Sequence, residues 1–213
     1  MGFLLLQYEF QRASREVTIH QRAGIRLNNQ VTRLTKKVKD MQSLFDKQKS
    51  GLKTDLQTAQ NALTGKFQNM QLTLGIGTGS INWGALTGSF GEYSSYIGGY
   101  ADSIITQAKS SEKALDTSAS NYASSRLSLI TYTISQITNI ISTIFKAIEE
   151  RETTLIEEAE NQQLAPISEK EADVQADKDL EDTLCSMWEQ RRDNAKQKLP
   201  DAIKNQMAGY GLG

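Results

Sequence analysis

The placement of proline and glycine limits the possible folds of this chain more than any other feature of its sequence. Residues 75–99 hold eight of the fifteen glycines, and two long proline-free stretches, residues 3–64 and 101–164, lie on either side. Proline interrupts helices and glycine weakens them. The pattern predicts two long helices of nearly equal length, joined by a glycine-rich segment into an antiparallel hairpin.

The first stretch has the apolar repeat of a coiled coil. Apolar residues recur at alternating intervals of three and four, which places them on one face of a helix. The repeat falters at Gln48 and Asp55, where we expect the packing to loosen or change register. The two series of positions are Phe10, Val17, Gly24, Val31, Val38, Phe45, Leu52 and Ala59, and Ala13, His20, Leu27, Leu34 and Met41.

The second stretch carries a wider apolar face. Its width predicts at least two neighbours, the first stretch and either a third helix or a second subunit. The strict seam consists of Leu127, Ile130, Ile134, Ile137, Ile141, Ile144 and Ile148, and the residues that widen it are Ile140, Phe145, Leu155 and Ile156.

Pro166 predicts the end of the second helix. Ser168 and Glu171 have the spacing of a capping box, so a third helix is expected from about residue 168 to 198. The glycine-rich residues 209–213 are typical of a flexible tail.

These patterns predict an all-α fold, a long antiparallel coiled-coil hairpin with a shorter third helix. We expect a single elongated domain. Its parts are a first arm at 1–66, a glycine- and aromatic-rich tip at 67–100, a second arm at 101–165, and the third helix and tail at 166–213.

Charge is distributed unevenly along the chain. Residues 1–66 carry twelve Lys and Arg against five Asp and Glu, whereas residues 148–213 carry eight against sixteen. In the predicted hairpin these segments pair, and opposite charges then fix the register. We do not expect nucleic-acid binding, because the basic segment lacks interleaved aromatic residues and the acidic segment competes for its cations. The predicted pairing joins Arg12, Arg15, Arg22 and Arg26 to Glu149, Glu150, Glu152, Glu157, Glu158 and Glu160.

The sequence indicates no catalytic, cofactor or metal site. His20 and Cys185 are each the only residue of their type, and neither has a neighbouring partner for catalysis or zinc binding. The apolar start is too short to cross a bilayer and lacks the layout of a Sec signal peptide. We therefore expect a soluble protein that is not an enzyme, with its localisation left open.

The glycine-rich tip combines flexible backbone with aromatic side chains. This composition suits either a small folded cap or an adhesive contact surface. The tip residues considered as partner contacts are Trp83, Phe90, Tyr93 and Tyr96.

The outline of the chain resembles flagellin, needle and filament subunits exported by type III machines. The shared features are an uncleaved amphipathic N-terminal helix, polar surfaces rich in Ser, Thr, Gln and Asn, one cysteine, and coiled-coil terminal arms. The resemblance implies export without cleavage to the cell surface or extracellular space, and a structural role in a bacterial appendage or secretion apparatus.

Self-association into an oligomer or filament is accordingly the expected function. The alternative is a non-enzymatic adaptor or chaperone-like module that captures a protein partner at the tip. The expected subunit contacts are Phe3, Leu6 and Phe10 in the first arm, and Ile130, Ile137, Ile144 and Ile148 in the second.

Overall fold

The computed structural model describes residues 2–75 and 79–209, which are mostly helical and contain no strand. Helix α1 spans Phe3–Gly75, α2 spans Gly84–Thr87, α3 spans Ser94–Lys113 and α4 spans Tyr122–Gly209. A single 3₁₀ turn, Gly91–Tyr93, precedes α3. The all-α prediction is confirmed for this part of the chain. Residues 76–78 of the predicted tip and 210–213 of the predicted tail lie outside it.

The apolar repeat of α1 forms a seam of covered side chains. Every position that the sequence placed in the two series from Phe10 to Ala59 is buried or half-buried. The expected change of register also occurs. Gln48 and Asp55 are exposed, while their neighbours Lys49 and Leu56 are half-buried. Supercoiling of the helices stays a prediction.

Helix α4 continues through Pro166 and Pro200, so the predicted separate third helix is wrong. A covered seam runs across the proline at the same three-four spacing, and Pro166 itself is exposed. Tertiary packing of this seam stabilises the helix against the local cost of proline. The seam beyond residue 163 consists of Leu164, Ile167, Glu171, Val174, Lys178, Glu181, Cys185, Trp188, Arg192, Ala195 and Leu199.

The predicted second arm is also divided. Its first part, residues 101–113, belongs to α3, and α4 begins only at Tyr122. Between them, the Asp116 carboxylate accepts hydrogen bonds from the backbone N–H and hydroxyl of Ser118 at 2.9 and 2.6 Å. Such Asx turns break a helix without glycine or proline, which explains why the sequence pattern did not reveal the break.

The chain forms two compact units. Unit 1 consists of Met1–Leu44 and Ala159–Gly213, and unit 2 consists of Phe45–Glu158. The number of independently folding domains stays a prediction.

In unit 1 the start of α1 packs antiparallel on the end of α4. The Thr35 hydroxyl donates a hydrogen bond to Glu171, and the Arg12 guanidinium lies 5.6 Å from the Trp188 ring centroid. The predicted register between the basic segment and Glu149–Glu160 is therefore wrong. It failed because it assumed that the pairing helix ended at Pro166.

Unit 2 contains the main hydrophobic core. This core joins the last turns of α1, the segment 81–90, α3 and the first turns of α4. The wide apolar face of α4 is thus covered by α1 and α3 of the same chain. The largest fully buried side chains of this core are Phe67, Leu86, Phe90, Ile97, Ile130, Ile137, Ile141 and Phe145.

Candidate interaction surfaces

Residues 79–93, the described part of the segment before α3, form a folded cap on the core of unit 2. Trp83 and Phe90 are 2% and 1% exposed, and the Phe90 ring lies 5.5 Å from that of Phe67. The Glu112 carboxylate accepts hydrogen bonds from Trp83 Nε1 at 2.6 Å and from the backbone N–H of Ile81 at 2.7 Å. Trp83 and Phe90 are therefore core residues, and their prediction as partner contacts is corrected.

Arg126 forms hydrogen bonds to both the last turn of α1 and the cap. Its guanidinium is buried and donates hydrogen bonds to the carbonyl oxygens of Gly79 and Leu74. Its Nε has no partner among the described residues. Arg126 takes the seam position that the sequence gave to Leu127, which is 49% exposed. A helix C-terminus leaves carbonyl groups unpaired, and a guanidinium with several donors can satisfy them.

Two exposed aromatic residues of unit 2 lie together on α3. Tyr96 and Tyr100 are 52% and 64% exposed. They are four residues apart and therefore lie on the same face of the helix. Tyr93 is half-buried, and the centroid of its ring lies 4.7 Å from that of the Phe145 ring. Of the four predicted tip contacts, only Tyr96 is exposed.

The predicted contacts on α4 are covered by the chain itself. Ile130 and Ile137 are fully buried in the core of unit 2, while Ile144 and Ile148 are half-buried. The prediction that Ile130 and Ile137 contact a second subunit is therefore wrong. The physical reason is that α3, which the sequence analysis did not separate from the second arm, contributes to the same core.

At the start of α1, the exposed apolar residues differ from those predicted. Leu6 is buried against the rest of unit 1, and Phe3 and Phe10 are half-buried. Leu4 and Tyr8 are instead 74% and 62% exposed. The exposed apolar residues of this segment therefore lie on the face of the helix opposite to the predicted one, and a subunit contact here stays a prediction. The exposed large apolar side chains of this end of unit 1 are Leu4, Leu5 and Tyr8 on α1, and Ile203 and Met207 on α4.

Next to this end, a groove of about 270 Å³ runs between α1 and α4. Trp188 lines this groove. The guanidinium carbons of Arg12 and Arg191 lie 5.6 and 4.8 Å from the centroid of its ring. A guanidinium over an indole face is attracted by the ring quadrupole. The other residues that line the groove are Leu6, Glu9, Ala13, Asn194, Ala195 and Lys198.

His20 and Cys185 both lie in the seam of unit 1. His20 is half-buried, as expected, and its Nδ1 lies 2.6 Å from Glu181 Oε2 on α4. Cys185 is also half-buried, and burial raises the pKa of its thiol. A raised pKa leaves less of the reactive thiolate at neutral pH.

The described residues contain no group of three or more His, Cys, Asp or Glu that could hold a metal ion. None of their helices is sufficiently long and apolar to traverse a lipid bilayer. The expectations of no catalytic residue, cofactor or nucleic-acid partner stay predictions.

Comparisons of the chain with protein-family models, curated proteins and solved structures find no match. Its function is therefore inferred from the surfaces described above.

Proposed function

We propose that this chain is a structural helical protein whose copies associate through the outward faces of unit 1. The observation that carries the proposal is the exposure of large apolar side chains around a pair of helices. A two-helix layer covers only one face of each helix, and exposed apolar patches often mark sites of protein association. The exposed residues are Leu4, Leu5, Tyr8, Ile19 and Ile25 on α1, and Leu180, Met187, Ile203 and Met207 on α4.

Burial of these side chains in an assembly would supply the driving force. Fully burying one Leu or Ile side chain contributes about 1.5 to 3 kcal/mol, before the costs of association. The resemblance to exported axial subunits extends the proposal to a bacterial appendage or secretion apparatus. The protein would act there as a scaffold and not as a catalyst.

The experiment is light scattering on a variant with Leu4→Gln, Leu5→Gln and Tyr8→Gln. These side chains are exposed, so the substitutions should leave helicity unchanged while they weaken self-association. The matched control replaces Leu127 and Leu155 of unit 2 with Gln, because they are 49% and 48% exposed. Equal association of the wild type and the triple variant would exclude this end of unit 1 as a subunit contact.

The exposed pair Tyr96 and Tyr100 favours a second candidate, an adaptor that captures a protein partner on α3. Tyrosine provides a large amphipathic contact at low entropic cost. Replacing both residues with Ala should then abolish capture of the partner, whereas Tyr132→Ala on α4, where the side chain is 64% exposed, should not. Equal capture by both variants would contradict the adaptor function.

A further inference from the structure

The outward face of α1 in unit 1 is a basic stripe. In seven-residue repeats counted from Phe10, the third and sixth positions point away from the seam, and from residue 5 to residue 36 all of them are exposed. None of these is acidic, whereas the next position of the series in unit 1, Asp40, is an exposed carboxylate. The Arg12 guanidinium reaches back to the Trp188 ring, so its charge lies partly over the groove between α1 and α4. The basic stripe consists of Leu5, Tyr8, Arg12, Arg15, Ile19, Arg22, Arg26, Asn29, Arg33 and Lys36.

The cations of this stripe are not neutralised within the chain. Among the described residues, no carboxylate lies within ion-pair distance of Arg15, Arg22, Arg26, Arg33 or Lys36. The predicted hairpin pairs this region with the acidic segment of the same chain. The register of unit 1 instead leaves these side chains pointing into solvent.

The outward face of α4 in unit 1 carries two acidic residues, Glu169 and Asp173, and no Lys or Arg up to residue 194. The equivalent positions, counted from Leu164, are all exposed, and we call them the acidic stripe: Pro166, Glu169, Asp173, Ala176, Leu180, Thr183, Met187, Gln190 and Asn194. The seams of α1 and α4 face each other, so the two outward faces point in opposite directions. One copy of unit 1 therefore presents a basic side and an acidic side.

The two stripes match in charge at one level along the helices, that of Arg33 and Lys36, while the other arginines lie level with uncharged positions of α4. The hydrogen bond between Thr35 and Glu171, together with the position of Gly24 beside Asp182, fixes which residues of α1 and α4 lie opposite one another. By this register, Arg33 is level with Asp173, and Lys36 with Glu169. The exposed apolar residues follow the same order, with Ile25 level with Leu180 and Ile19 level with Met187.

We propose that the occupant of the basic stripe is the acidic stripe of a second copy, placed side by side in the same orientation and without axial offset. The inference rests on the proposed function and specifies its interface. Apolar contacts of Ile19 and Ile25 with Met187 and Leu180 provide burial, and the charges fix orientation and register. Because the two sides differ, the contact is heterologous and repeats from copy to copy, which produces a ring or an open polymer.

Charge reversal on each side, followed by mixing, tests this interface. At the level of Arg33 and Asp173, the variant Arg33→Glu, Lys36→Glu carries acidic residues on both sides, and the variant Glu169→Lys, Asp173→Lys carries basic residues on both sides. Each alone should associate about 10- to 100-fold more weakly than the wild type. An equimolar mixture should recover the mass distribution of the wild type in sedimentation velocity, because each variant then meets its complement.

Lys47→Glu, Lys53→Glu is the matched control, since these exposed lysines of α1 lie in unit 2. It should associate like the wild type, and circular dichroism should show equal helicity for all variants. Wild-type assembly that is unaffected by either reversal would overturn this interface while leaving self-association intact. A monomeric wild type that binds phosphatidylserine vesicles through Arg33 and Lys36 would overturn both proposals.

Discussion

Continuity of α4 through Pro166 makes the effect of replacing this proline predictable. Pro166 has no N–H for the carbonyl oxygen of Gln162 one turn earlier, and proline inside a helix costs about 3 kcal/mol relative to alanine. Proline also restricts the unfolded chain, and its loss in Pro166→Ala offsets about 0.4 to 1 kcal/mol of this gain in stability. Since Pro166 is exposed, little packing is lost. We expect a net stabilisation of about 2 kcal/mol.

Urea denaturation followed by circular dichroism measures this change, and Ser168→Ala is its companion. In a continuous helix Ser168 is an interior, exposed position, where alanine is neutral or slightly stabilising. If a separate helix began there, Ser168 would be its N-cap and the substitution would destabilise by about 1 kcal/mol. A neutral Pro166→Ala combined with a destabilising Ser168→Ala would refute the continuous helix.

Three further predictions concern single side chains. Glu112→Ala should lower the free energy of unfolding by about 1 to 3 kcal/mol, because the buried Trp83 indole N–H loses its acceptor; an unchanged free energy of unfolding in urea denaturation would contradict this role. Gly24→Ala should stabilise the protein by about 0.5 to 1 kcal/mol, since an added Cβ meets only the Asp182 carboxylate oxygen, at 3.1 Å; a lower melting temperature would show that this side chain cannot move. Cys185 should react with iodoacetamide more slowly than a free thiol at neutral pH and faster as pH rises through its raised pKa; an equal rate at neutral pH would contradict the burial.

The seam of α1 could be predicted from sequence because it is mostly apolar and regular. The corresponding seam of α4 beyond Pro166 could not, since Glu171, Lys178, Glu181 and Arg192 occupy it and hydrophobic periodicity does not detect charged positions. Local rules for proline and capping then predicted a helix break. Packing along a long partner helix overrides such rules, which act only over one turn.

The candidate surfaces could be predicted from the sequence only in part. Once the seam of α1 is assigned, its outward positions, including Arg12, Arg15 and Ile19, follow from the repeat. Whether an aromatic side chain is core or surface did not follow. Trp83 is buried because Glu112, distant in sequence, accepts its N–H hydrogen bond, and no local pattern encodes that contact.

Sedimentation equilibrium of the wild-type protein over a wide concentration series tests the central claim most directly. The chain has a mass of 23.7 kDa. Self-association through the outward faces of unit 1 predicts an average mass that exceeds this value and rises with concentration, and that falls when salt screens the basic and acidic stripes. A mass of 23.7 kDa at every concentration and salt condition would contradict the claim.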